Sequence, residues 1–442
     1  MSTFREVAGT LVGGNEQGWV SPLREIERAV QERAKLADID MAAPGAADRL
    51  QALLVEEVGD WRTQFRRGQR VQDVADPEAA VERALRNLTG YGPLQPLLDD
   101  PDVWEIMVNG PASIFSKRHS GQGGYHHEVF HDDEHVVRVL TKILDDASRS
   151  HRKLDPSEGL QDAQLDNGAR LHIVHSDVGR DGHLLVNIRK FSGVAHRSLQ
   201  ELVGLGMLDS STAQFLAACV RSGLSVLVAG APGSGKTTML GCLAAELDPG
   251  LRIVVAVEVF ETDVPLPNVA HMQTRPARAD RKEVDLRRLV SGFLRMAPDV
   301  AIVGEVRDRE ALPLLLTLSS GVQGFTTIHA GSARQALSRL RFICQLAETG
   351  SELTVAALSA LVSEAVDVVV FCARRESDLR VTEVLAVEDL QVASGTVAFT
   401  TTTVYSRNRF TDPLRWSGSL PVRAARTLEL HGYELRSLVG GS

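Results

Sequence analysis

The sequence predicts an α/β protein of several domains, in which a helical N-terminal region and a small α+β domain precede a larger α/β domain. Three observations carry this. Val- and Ile-rich runs at 225–230, 251–258, 299–304, 325–329 and 366–371 alternate with helical pattern, as in a mostly parallel sheet covered on both faces. Upstream, short alternating segments flank a single helical stretch. The chain has 442 residues and is 43% apolar, more than one core holds at ~100–200 residues per domain.

In chain order, residues 1–88 are rich in Glu, Arg, Ala and Leu, with helical spacing at Leu23, Ile26, Val30 and at Leu50, Leu53, Leu54, Val58. The run Met41 to Ala47 reads as a loop between them. Residues 89–192 carry alternating segments at 103–109, 113–116 and 184–189 around a helical stretch Glu134 to Ala147, which makes a small α+β domain. Residues 193–212 read as a linker with one short helix. Asp209-Ser210-Ser211-Thr212 then offers capping side chains to a helix over Ala213 to Arg221. The α/β domain runs over 213–405 and ends in a β-meander at 379–388, 390–393 and 396–405. Residues 406–442 are left as a tail, because local propensity there is weak.

A net charge of −9 disfavours an electrostatic nucleic-acid binder. The four cysteines, Cys219, Cys242, Cys344 and Cys372, sit in apolar contexts without CxxC spacing, which argues for core thiols rather than zinc or disulfides. The start, Met1 to Glu6, lacks the pattern of a signal peptide, and no apolar run reaches ~18 residues. The expectation is a cytoplasmic protein that meets a membrane only through a partner.

The chemistry begins at Gly230-Ala231-Pro232-Gly233-Ser234-Gly235-Lys236-Thr237-Thr238, which fits GxxxxGK[ST] directly after an apolar strand and before a helix-forming run. Glycines there let backbone N–H groups face phosphate oxygens, Lys236 reaches the outer phosphates, and Thr237 offers its hydroxyl to Mg²⁺. The helix N-terminus adds its dipole. A second run, Asp299 to Glu305, is a strand that breaks at Gly304 and presents Glu305 at its carboxyl end, where it can hold Mg²⁺ through water or orient the attacking water. The strand Ile253 to Val257 ends in Glu258, with Glu261 and Asp263 behind it; either these acids join the metal or they form an acidic solvent loop. Gly324 to Ile328 ends in His329, a candidate γ-phosphate contact that equally suits a structural histidine. Arg275, Arg287, Arg288, Arg295 and Arg307 surround these segments. They read mostly as surface or ion-pair residues, with one or two able to reach phosphate in a neighbouring subunit.

Taken in order, the phosphate loop at 230–237, the strand ending at Glu258, Leu294 to Asp299 leading into Ile302 to Arg307, and Gly321 to Gly324 leading into Thr327 to Ala330 resemble the Walker A, Asp-box, Walker B and His-box segments of type II/IV secretion ATPases. Tyr91 to Leu94, Leu97-Leu98, Glu105 to Gly110, Asp162-Ala163, Gly168 to Arg170 and Ile188 to Phe191 resemble the preceding domain of the CpaF/TadA-type branch, which drives Flp pilus assembly. The resemblance covers about 90–390. It implies a RecA-like P-loop domain behind a small α+β (PAS-like) one, and a homohexamer that binds ATP and Mg²⁺ between its two domains. Lys236 and Thr237 would bind phosphate and metal, Glu305 and Glu258 would position water, and His329 would sense the γ-phosphate. Arg170 and Arg189 would reach the nucleotide from the upstream domain, and the motor would push on an inner-membrane platform protein. Ala231-Pro232 departs from the more usual Gly-Thr, and the Asp box leaves open whether Glu258 or Glu261 serves. A VirB-type conjugation or type IV secretion ATPase is the near alternative. A RecA-like nucleic-acid translocase is the distant one, disfavoured by the lack of a basic, aromatic groove segment.

Overall fold

The computed structural model describes residues 21–39, 45–118, 123–147, 153–190, 198–258, 264–275, 277, 282–347, 353–376, 378–393 and 396–439. The chain divides into two compact units, Met1–Ser192 and Gly193–Ser442.

The first unit holds two separate apolar cores. One belongs to three helices, Pro22–Leu36, Ala46–Arg66 and Pro77–Thr89, around Ile26, Val30, Leu50, Leu54 and Trp61. The third begins with Pro77 behind Asp76, whose carboxylate accepts from the Ala79 amide at 3.0 Å, satisfying one of the N–H groups orphaned at a helix start. The other core lies between the helix Asp133–Asp146 and an antiparallel sheet. Its strands are β1 (Val103–Val108), β2 (Ile114–Arg118), β3 (Gly124–Tyr125), β4 (Leu160–Gln164), β5 (Arg170–Val174) and β6 (Leu185–Arg189), in the order β3-β2-β1-β6-β5-β4. Ile106, Ile188 and Leu171 are level across the sheet and buried. By the two-residue pleat, Glu105, Arg189 and Arg170 then share the opposite face.

In the second unit, nine strands form one sheet. They are β7 (Val226–Gly230), β8 (Ile253–Val257), β9 (Val269–Gln273), β10 (Val300–Val303), β11 (Gln323–Ile328), β12 (Val368–Arg375), β13 (Asp378–Val387), β16 (Thr401–Ser406) and β17 (Arg415–Trp416); β14 (Gln391–Ala393) and β15 (Thr396–Ala398) pair apart. The order is β17-β16-β13-β12-β7-β11-β10-β8-β9. From β12 to β9 every pairing is parallel, whereas β13, β16 and β17 extend the sheet antiparallel. The central strands β7, β8 and β10 are buried at every residue, because helices cover both faces. One core gathers Val226, Val228, Met239, Leu240 and Ile302, and the other Leu227, Ala229, Leu315, Leu337 and Leu340. Asp209 caps the helix Ser210–Arg221, accepting from the Thr212 amide at 2.7 Å. All four cysteines are free and buried, and burial pushes the Cys242 and Cys372 thiols up to about 12.

Two stretches differ from the sequence expectation. The described part of the 193–212 linker belongs to the second unit: Ser198 caps a helix Leu199–Gly204, and Leu202, Met207 and Leu208 are buried in its core. The tail is likewise packed, with helices Val422–Leu430 and Leu435–Val439 burying Leu428 and Leu435. The Glu388 carboxylate accepts from the Val422 and Arg423 amides at 3.0 Å each, holding the helix start to the end of β13. The short helix expected in the linker is Leu199–Gly204, and what differs there is its packing into the core; the tail helices are short pieces whose order comes from packing, so propensity alone misses them. No described helix is long and apolar enough to cross a membrane.

Leu428 is fully buried. Leu428→Ala should cost about 2–5 kcal/mol, measured as a lowered urea midpoint of the second unit. A change below ~0.5 kcal/mol would mean that the C-terminal helices do not belong to this core.

Candidate functional site

Parallel register builds the site. Val303 on β10 is level with Ala256 on β8, and the ladder continues as the Gly304 amide donates to the Ala256 carbonyl at 3.0 Å. Two residues beyond, Glu305 and Glu258 leave the sheet beside each other. On the other side of β10, Val303 is level with Thr326 of β11, and Ile328 of β11 is level with Ala229 of β7. His329 and Gly230 therefore follow at neighbouring strand ends. Glu258, Glu305, His329 and the phosphate loop thus stand in one row at the carboxyl edge, where open α/β sheets bind ligands.

Gly230 has φ 155° and cannot carry a side chain: a Cβ would lie 2.2 Å from the Cys372 carbonyl and 2.5 Å from Ser234 Oγ. Gly233 and Gly235 take φ of 70° and 85°, the left-handed region that favours glycine. The helix Lys236–Ala244 starts immediately after, so its first N–H groups lack intrahelical acceptors. Ala231 and Pro232 are exposed, Ser234 is fully buried, and Thr237 and Thr238 are half-buried in the first turn.

The Lys236 ammonium is buried and donates to the Ala231 carbonyl at 2.9 Å and to His329 Nδ1 at 3.1 Å. His329 Nε2 lies 2.9 Å from Glu305 Oε1. His329 Nδ1 also lies 3.3 Å from the Gly230 carbonyl, which can only accept; in the neutral tautomer whose Nδ1 accepts from lysine, Nε2–H donates to Glu305. Burial, then the Lys236 charge, lower the His329 pKa from 6.5, against a weaker raising effect of Glu305. Burial pushes the Glu305 carboxyl up, but the Arg307 hydrogen bond and the charges of Arg307, His329 and Lys236 together hold it below the ordinary value. Arg307 grips both Glu305 oxygens, Nε to Oε1 at 2.7 Å and Nη2 to Oε2 at 3.0 Å, and its Nη1 donates to Glu258 Oε2 at 3.1 Å. Lys236, His329, Glu305, Arg307 and Glu258 are one continuous polar chain.

Residues 87–398 match the family model described as "Type II/IV secretion system protein". The chain belongs to that family and is an ATPase. A Mycobacterium tuberculosis protein named for conjugal transfer is 32% identical to this secretion-family ATPase over 318 residues, 70% of this chain and 87% of the relative. The type IV secretion system protein PtlH of Bordetella pertussis is 31% identical over 323 residues, 68% of this chain and 92% of that one. Among solved structures, the VirB11 ATPase of the Brucella suis type IV secretion system is 26% identical, covering 66% of this chain and 94% of that one at a TM-score of 0.36.

In this secretion-family ATPase the structure brings together Lys236, His329, Glu305 and Glu258. Arg170 and Arg189 lie in the first unit, directly opposite each other on β5 and β6, with Glu105 level with Arg189 on β1. Glu261 lies outside the described residues. Sequence reasoning read Arg307 among arginines that are mostly surface or ion-pair residues, and the structure pairs it with the two acids. The signal was its position two residues after Glu305, on a strand whose neighbour ends in a second acid. Other arginines of that cluster meet backbone: Arg275 donates to the Lys282 carbonyl at 3.2 Å and Arg295 to the Ser291 carbonyl at 3.3 Å.

The His329 geometry has a titration consequence. Its folded value is depressed, so as pH falls below about 6.5 the unfolded chain takes the proton first and stability drops on acidification. Histidine NMR should place the His329 midpoint below 6.5. Glu305→Gln should lower it further and Lys236→Ala should raise it; opposite signs would break the Lys236–His329–Glu305 link.

Proposed function

We propose that this family ATPase is a homohexameric motor that hydrolyses ATP to power Flp or type IV-like pilus assembly, or type II/IV secretion, at an inner-membrane platform protein. It works in the cytoplasm and reaches the membrane through that partner. The observation that carries the hydrolytic reading is the link from Lys236 through His329 to Glu305, which ties the phosphate loop to the acid at the next strand end but one. Phosphate entering the loop competes for the Lys236 ammonium. Lys236 then leaves His329 Nδ1, and the freed imidazole can report the γ-phosphate while Glu305 orients water.

The residues present suit a nucleotide with Mg²⁺. Gly230, Gly233 and Gly235 take the positive φ that lets the loop curl, the buried Ser234 hydroxyl has no hydrogen-bond partner among the described residues, and Thr237 and Glu305 are hard oxygen donors. When bound, the ion supplies positive charge to the phosphate oxygens. Gly230 to Thr238 would cradle the phosphates, Thr237 would meet the ion directly and Glu305 through water. Glu258, joined to Glu305 through Arg307, would help to place the water. Arg170 and Arg189, level on adjacent strands, are the residues that the family resemblance would have reach the nucleotide from the upstream domain. Relatives named for type IV secretion and conjugal transfer favour a VirB-type traffic motor as the second reading.

Glu305→Gln should keep ATP affinity within about threefold and cut turnover by at least ~100-fold, while Lys236→Ala should lose ATP binding. Nucleotide titration beside phosphate-release kinetics checks both, and full turnover by Glu305→Gln would remove Glu305 from hydrolysis. Native mass spectrometry with ATP should find six copies. The membrane protein that co-purifies with the full chain separates a pilus platform from a conjugation channel, and strong stimulation by single-stranded DNA would contradict both.

A further inference from the structure

The register of β8 and β10 creates a problem that the sequence must solve. Glu258 and Glu305 continue level residues of adjacent parallel strands, and neighbouring strands lie only ~4.8 Å apart. Two carboxylates at that spacing repel, and each would swing towards solvent unless a cation sits between them. Gly304 keeps the strands close at this point, since a Cβ there would come within 2.9 Å of Val257 Cγ1.

Arg307 fills the gap. Its side chain is 46% exposed, yet it makes a two-pronged contact with Glu305 and a third hydrogen bond to Glu258. A planar guanidinium can make these three contacts at once, and an ammonium cannot reproduce the paired geometry. The turn is itself fixed from behind: Glu310 Oε1 accepts from the Arg307 and Asp308 amides at 2.5 and 2.9 Å, and the Val306 amide donates to the Thr327 carbonyl at 2.9 Å. The fork therefore springs from an anchored backbone, with His329 meeting Glu305 from β11. Glu305 is held from two sides.

We propose that Arg307 is a positioning residue for hydrolysis, which binds Glu305 and Glu258 in one guanidinium fork and sets the direction in which Glu305 meets the phosphate loop. The proposal rests on the role given above to Glu305. It assigns Arg307 to its own subunit's site and to the acids, rather than to phosphate. A displaced carboxylate loses rate far more than affinity, because an error of ~1 Å in a catalytic group can cost 10²-fold.

The test uses the full chain with ATP and Mg²⁺ and compares Arg307→Ala, Arg307→Lys and Glu305→Gln. Arg307→Ala should lower kcat about 10–100-fold while KM and the affinity for a fluorescent ATP analogue stay within about threefold. Arg307→Lys should recover part of kcat, because one ammonium can pair with one acid. Millimolar guanidinium ion added to Arg307→Ala should restore part of the turnover without changing KM. Two results would overturn the proposal: a raised KM with unchanged kcat, which makes Arg307 a phosphate ligand, or equal kcat losses in both variants with no guanidinium rescue. Glu305→Gln reads the underlying assignment separately, since its turnover is lost if Glu305 orients water, whatever Arg307 does.

Discussion

The in-register parallel pairing of β8, β10, β11 and β7 is the constraint on which the site depends. Strand residues level with one another carry their chain directions out of the sheet together, so four unrelated segments deliver Glu258, Glu305, His329 and Gly230 to one edge. A one-residue slip of any strand would send its terminal group to the other face. The register is protected by complete burial of β7, β8 and β10 between two apolar layers. Core packing thus fixes the polar chemistry at the strand ends.

That chemistry is a chain of alternating charge in a half-buried setting. Lys236 faces both the loop carbonyl of Ala231 and the imidazole of His329, so anything that draws it towards phosphate changes what His329 and Glu305 meet. Burial lowers the His329 pKa, and the Lys236 charge adds to that. On the far side Arg307 balances two acids that register forces together.

Much of this was legible in the sequence because it depends on local signals. Gly230, Gly233 and Gly235 announce a loop of positive φ, and apolar runs that stop at Glu258, Gly304-Glu305 and His329 announce strand ends. What the sequence lacks is neighbour identity. It could not say that β11 stands between β7 and β10, and hence that His329 rather than Glu258 would bridge Lys236 to Glu305. It read Arg307 as one of several surface or ion-pair arginines, and could not name Glu258, 49 residues away, as its second acid. The helices within 422–439 escaped because their order comes from burying Leu428 and Leu435, whereas one short helix was expected in the linker and stands at Leu199–Gly204. Nor could it show that Arg170 and Arg189 face each other, which needs the β5–β6 register.

The most direct measurement is a structure of the full chain with a non-hydrolysable ATP analogue and Mg²⁺. The account predicts that Lys236 Nζ leaves His329 Nδ1 for a phosphate oxygen seated over the Gly233 to Thr237 amides, with Glu305 and Arg307 still paired beside it. A bound nucleotide with Lys236 still on His329, or with its phosphates away from the Gly230 to Thr238 loop, would contradict it.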